Sequence, residues 1–126
     1  MKNLFNLFSC PLPLPHKSLV YDLKARLDWG EPALTIIDVR DRTQFNIRHI
    51  MGAISMPMPQ LVERALDSLE LNRDLYIYGE TDEETLEAAA KLRAAGYINV
   101  SELRGGVAAW KAVDYPVESI LFTVAA

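Results

Sequence analysis

A single cysteine, Cys10, leaves the chain unable to form an internal disulfide, and the reducing cytoplasm is the compartment expected for it. Apolar runs stay well short of the ~20 residues that cross a bilayer, so no membrane partner is expected. Basic residues are the minority: thirteen Lys and Arg face seventeen Asp and Glu, for a formal charge of −4. No basic stripe is available to neutralise a run of phosphates, which excludes nucleic acid. The opening stretch places Lys2 before apolar residues and Leu7 three before Cys10, but Asn3 and Asn6 interrupt it. It is also shorter than the ~15–30 residues of an export signal.

The 126 residues, half of them apolar and 24% charged, suit one soluble globular core and are too few for two ordinary ones. The chain is organised around the stretch from Leu75 to Gly96. Leu75-Tyr76-Ile77-Tyr78 reads as a strand, Gly79-Glu80-Thr81-Asp82-Glu83-Glu84-Thr85 as an acidic turn, and the alanine-rich remainder as a helix with Ala88, Ala89, Leu92 and Ala95 on one face. Thr81 followed by Glu84 is a capping-box pattern, and Gly96 is a C-terminal stop. In an open α/β sheet ligands gather at the carboxyl ends of strands, which directs attention to the turn after Tyr78.

Elsewhere helical and strand patterns alternate. Residues 1–17 form an extended arm, since Pro11, Pro13 and Pro15 forbid a helix. Ser18 caps a helix whose face is Leu19, Val20, Leu23 and Leu27, and Leu34 to Val39 is a strand apolar enough for burial on both faces. Asp41 caps a short helix through Phe45, and a turn at Arg48–Ser55 enters a brief strand. Leu61, Val62, Ala65, Leu66 and Leu69 mark a further helix, Ile98 to Leu103 a strand, and Val107 to Val113 a last helix containing Trp110. This alternation predicts a three-layer α/β/α domain with a central parallel sheet over residues 18–117, followed by an apolar tail at 118–126. The tail can add a strand, pack on the body, or offer an edge for self-association, giving a monomer or a weak homodimer.

Ile37-Asp38-Val39-Arg40 with Phe45, His49-Ile50, Gly52-Ala53, the strand, loop and helix at Leu75, Ala94-Ala95-Gly96-Tyr97, and Gly105-Gly106-Val107 with Trp110 follow one another in an order that resembles the rhodanese homology domain. That resemblance implies a small α/β/α fold and sulfane-sulfur transfer by a cysteine opening the loop after the central strand, cradled by backbone amides and cations. Here Gly79 stands where the resemblance places that cysteine, and it has no side chain to attack thiosulfate or hold a persulfide. Glu80 and Glu84 occupy positions that are arginine in many sulfur-transferring relatives, with Asp82 and Glu83 adding further negative charge.

An anion ~4 Å from one carboxylate is repelled by ~1 kcal/mol in water and ~4 kcal/mol at a surface-like dielectric. Each neutral amide returns a net ~0.5–1.5 kcal/mol, so the acids outweigh the cradle. The expectation is a catalytically inactive binding or regulatory module, presenting its acidic loop to a protein partner with a basic surface, without cofactor or metal. The acids could alternatively hold calcium or magnesium, although they lack EF-hand spacing, or simply meet the helix dipole. The alternative function is a sulfurtransferase or phosphatase-like enzyme using a non-standard nucleophile such as Cys10. Asp38 and Arg40, flanking a strand end near the loop, either pair structurally or line a pocket.

Overall fold

The protein is seen in a computed structural model that describes residues 14–30 and 33–120. Cys10, Pro11, Pro13 and the tail beyond Ile120 lie outside the described residues. The elements run β1 (Lys17–Ser18), α1 (Val20–Asp28), β2 (Leu34–Asp38), α2 (Arg42–Ile47), β3 (His49–Ile50), β4 (Ile54–Ser55), a 3₁₀ turn (Met58–Gln60), α3 (Leu61–Ser68), β5 (Asp74–Tyr78), α4 (Asp82–Ala94), β6 (Val100–Leu103), α5 (Gly106–Ala112) and β7 (Val117–Glu118). Five strands form a parallel sheet in the order β1-β6-β5-β2-β4, and β3 pairs with β7 in a small antiparallel ribbon.

The two-residue period of a strand sends successive side chains to opposite faces, and both faces are covered. Ile37, Leu75, Ile77 and Val100 pack with Leu61 and Ala65 of α3 and with Ala88, Ala89 and Leu92 of α4. Ile36, Tyr76, Tyr78 and Leu103 pack on the other side with Val20 and Leu23 of α1, Phe45 of α2 and Trp110 of α5. The three-layer arrangement expected from the alternation of patterns is therefore the one observed. The alanines of α4 let that helix lie close to the sheet.

Ser18 does not cap α1. It belongs to β1, where its hydroxyl shares a buried 2.5 Å hydrogen bond with that of Ser101 on β6. The cap position falls to Leu19, whose N–H donates to the Asp22 carboxylate at 2.8 Å. Asp41 does precede α2, but its side chain accepts no capping hydrogen bond. Beyond α4, Gly96 turns the chain at φ +112°, a conformation that L side chains rarely adopt.

Candidate functional site

β5 is the central strand of the five and ends at Tyr78, so the chain emerges from the middle of the sheet at Gly79. The backbone of the following turn is held by its own side chains. The Thr85 hydroxyl accepts the Gly79 N–H at 2.7 Å and donates to the Thr81 carbonyl at 3.0 Å. Thr81 caps α4 by accepting the Glu84 N–H at 3.1 Å, as the capping-box pattern predicts. The reciprocal half differs: Glu84 Oε1 reaches one residue further back and accepts the Glu80 N–H at 2.7 Å.

That reach places Glu84 directly against Gly79. A β-carbon built on Gly79 would lie 2.5 Å from Glu84 Oε1 and 2.9 Å from its Cγ. The space in front of the first loop residue is thus filled by a carboxylate of the same chain. Behind the loop, Gly106 approaches closely as well, since a β-carbon there would sit 3.1 Å from the Gly79 carbonyl oxygen. Its φ of +54° and this close contact both favour glycine at the start of α5.

The acids of the turn are mostly engaged. Asp82 accepts the Gly105 N–H at 3.0 Å and lies 3.2 Å from Arg104 Nη2. Glu80 Oε1 lies 3.6 Å from Arg40 Nη1. Glu83, exposed on the first turn of α4, makes no side-chain hydrogen bond or ion pair among the described residues. No cluster of three or more metal-ligating side chains occurs among the described residues.

Asp38 and Arg40 form a buried ion pair at 2.8 Å, 0% and 6% exposed at their side chains. Arg40 Nε and Nη2 both face the Asp38 carboxylate, the Arg40 N–H donates to Asp38 Oδ1, and Nη2 also donates to the Arg48 carbonyl at 2.6 Å. Burial works against the Arg40 charge, but hydrogen bonding and charge from Asp38, followed by Tyr78 and Glu80, more than offset it and raise the guanidinium pKa. Beside them the Tyr78 hydroxyl accepts the Ile50 N–H at 3.1 Å. Burial first, then the Asp38 charge, pushes the Tyr78 phenol far above its ordinary range.

Arg40 pairs with Asp38 and also lines a cleft. An open cleft of ≈ 260 Å³ lies between α2 and α5 and runs to the loop, with Ile47, Val107 and Ala108 as its apolar walls. Arg40, Arg48 and Lys111 supply its positive charge, and Gln44 and Glu80 complete it. Asp38 pairs with Arg40 without lining the cleft. Gln44, Ile47, Arg48, Val107, Ala108 and Lys111 carry no sequence motif that marks them as a group, because two short helices far apart in the chain bring them together.

His49 is structural: Nδ1 bonds the Phe45 carbonyl at 2.7 Å and its ring stacks on Phe45 at a 3.7 Å centroid separation. Trp110 is fully buried, with Nε1 donating to the Pro116 carbonyl at 2.7 Å, whereas Trp29 is 84% exposed. No helix among the described residues is long and apolar enough to cross a membrane.

Residues 19–113 match the family profile described as a rhodanese-like domain. The chain is 34% identical over 90 residues to the probable adenylyltransferase/sulfurtransferase MoeZ of Mycobacterium tuberculosis, a match covering 71% of this chain and 23% of MoeZ. It is 30% identical over 95 residues to a sulfurtransferase of Allochromatium vinosum, covering 75% of this chain and 87% of that protein. The fold superposes on the crystal structure of the Alr3790 protein from Anabaena sp. with a TM-score of 0.81 at 56% identity, covering 84% of this chain and 95% of that one.

Proposed function

Because the chain belongs to the rhodanese-like domain family, we propose that it is a member acting by binding, as a regulatory or adaptor module, and not by moving sulfur at its central loop. One observation carries this reading: the residue opening the loop is glycine, and the Glu84 carboxylate occupies the space where a side chain at Gly79 would stand. A persulfide needs a sulfur atom to carry it, and Gly79 supplies none. A carboxylate in that position also disfavours a thiolate or an incoming thiosulfate dianion. The activity in the names of the MoeZ and Allochromatium relatives therefore does not pass to this chain.

The purified protein transfers no sulfur from thiosulfate or mercaptopyruvate to cyanide, and intact-mass spectra after thiosulfate treatment show no +32 Da adduct. Turnover well above buffer that survives Cys10→Ser would overturn the reading. The interaction face we assign to the module includes Glu83 and Glu87 on α4, 62% exposed at the Glu87 side chain, which suits a partner with a basic surface. If Glu83→Lys with Glu87→Lys recovers the same binding proteins as the unmodified chain, that face is not the one used.

A further inference from the structure

We propose that His49 and Glu118 form a proton-operated latch, which fastens the ribbon of residues 116–120 to β3 when the imidazole carries two hydrogens and loosens it when one is lost. Both ring nitrogens of His49 face acceptors. Nδ1 lies 2.7 Å from the Phe45 carbonyl oxygen, which can only accept, so the single hydrogen of a neutral ring is spent there. Nε2 lies 3.4 Å from Glu118 Oε1. A neutral His49 therefore sets a bare nitrogen beside a carboxylate, and a second hydrogen turns that contact into an ion pair. The His49 side chain is 4% exposed, which limits screening of the pair by salt.

The pair sits in the middle of what it fastens. His49 and Glu118 stand directly opposite each other in the antiparallel ribbon. To one side the Met51 N–H donates to the Pro116 carbonyl at 3.2 Å, and to the other the Ile120 N–H donates to the Asn46 carbonyl at 2.7 Å. The Ser119 hydroxyl donates to the Ile47 carbonyl at 2.8 Å, and Glu118 Oε1 also accepts the Gly52 N–H at 3.1 Å. None of these donors titrates between pH 5 and 8, whereas imidazole does. Release bares the edge of β3, a template on which another strand can pair.

Glu118 is the one acid in ion-pair range of His49 among the described residues. Arg42 of α2 lies 5.8 Å from the Phe45 ring on which His49 stacks, and Arg48 precedes His49 in the chain. Lys111 is the charged residue of α5, which packs on β3. Asp41 is exposed at the amino end of α2, whereas His49 follows its carboxyl end. The Arg40 guanidinium on the Arg48 carbonyl is paired with Asp38, and the buried Tyr78 hydroxyl on the Ile50 amide stays neutral. The unmatched neighbours are thus cations that oppose a second proton, and Glu118 is the group that favours it. By linkage the latch is at full strength once His49 has taken that proton and is lost as pH rises through its titration.

Amide exchange and the ¹⁵N resonances of the His49 ring, followed together from pH 8 to 5.5 where carboxylates remain ionised, test the latch. The Met51 and Ile120 amides report on the ribbon, and the Val39 amide, bonded to the Tyr78 carbonyl at 3.0 Å, reports on the sheet. Protection factors at Met51 and Ile120, each referred to intrinsic exchange at its own pH, should rise about two- to fivefold toward pH 5.5, in step with the second hydrogen at Nε2 and with Val39 unchanged. Glu118→Gln keeps an oxygen for the Gly52 N–H but carries no charge, and it should abolish the rise; unchanged Val39 protection at pH 8 verifies its fold. A rise that persists in Glu118→Gln, flat ribbon protection across the range, an equal rise at Val39, or an Nε2 still bare at pH 5.5 would each overturn the proposal.

Discussion

Glu84 folds back so that its Oε1 would stand 2.5 Å from a β-carbon on Gly79, and the same oxygen accepts the Glu80 amide at 2.7 Å. The loop carries its own anion. Any attempt to give it a nucleophile has to displace that carboxylate, which lies at the end of a flexible side chain, and also to overcome its charge.

Gly79→Cys alone is accordingly expected to give a folded protein with little or no thiosulfate turnover. The new sulfur would face Glu84 and Glu80, which disfavour its thiolate and keep its pKa above the ~8.5 of a free cysteine. Combining Gly79→Cys with Glu80→Arg and Glu84→Arg should raise turnover well beyond the single change. Thiol titration and cyanide-coupled rates decide it, and a single variant as active as the triple would show that the acids are not what disables the loop.

Thr81→Ala should lower stability by ~0.5–2 kcal/mol through loss of the cap on α4, and Glu84→Gln by less, since an amide oxygen still accepts the Glu80 N–H. Thr85→Val removes the acceptor of the buried Gly79 N–H and should cost ~1–3 kcal/mol. Urea midpoints for the three variants give the ranking, and a neutral Thr81→Ala would count against the cap.

Asp38→Ala leaves the Arg40 guanidinium buried beside a strand end without its counter-charge. The expected loss is ~3–5 kcal/mol, large against the ~5–15 kcal/mol of a typical domain. Replacing both, Asp38→Leu with Arg40→Met, should recover part of it. A double-mutant cycle on denaturation midpoints measures the coupling, and additive losses would mean the pair is energetically idle.

Alkaline pH provides a separate handle. Burial raises the pKa of Tyr76, Tyr78 and Tyr97, with Tyr78 shifted furthest and helped by the Asp38 charge. A phenol that titrates near pH 10 unfolded but higher when folded gives stability that is complete below pH 10 and declines as pH rises above it. Phenolate absorbance should therefore show Tyr78 ionising only with unfolding. Tyr78→Phe should flatten the alkaline decline while costing ~1–3 kcal/mol near neutrality, because the Ile50 N–H loses its acceptor. Early, reversible ionisation of Tyr78 in the folded state would contradict this.

Local patterns in the sequence were sufficient for β2, β4, β5 and β6 and for the helices on them, but not for the edge strand β1, because apolar periodicity and the Thr81 cap act within a few residues. The features that escaped such reading are long-range. Ser18 has the chemistry of a helix cap, yet its hydroxyl is claimed by Ser101. His49–Ile50 pairs with Val117–Glu118 from the far end of the domain, and no periodicity announces a two-residue ribbon. At the site, Gly79 and the acids were visible as residue types, but Glu84 bending onto Glu80 in place of completing a capping box was not. Arg48 and Lys111 come to line one cleft only when α2 and α5 meet.

The pairing of β1 with β6 also governs how the chain can be made. Ser18 leaves the ribosome 83 residues ahead of Ser101, the hydroxyl it finally bonds. At ~5–20 residues per second its partner strand follows on the order of 4–17 s later, far longer than a hairpin or helix needs to form. For that interval the first strand of the sheet has no neighbour to hydrogen-bond. The nascent domain can assemble β2, β5 and α4 as they emerge, but its β1 edge closes only once β6 has emerged, and this is the window in which a chaperone or a protease would meet it.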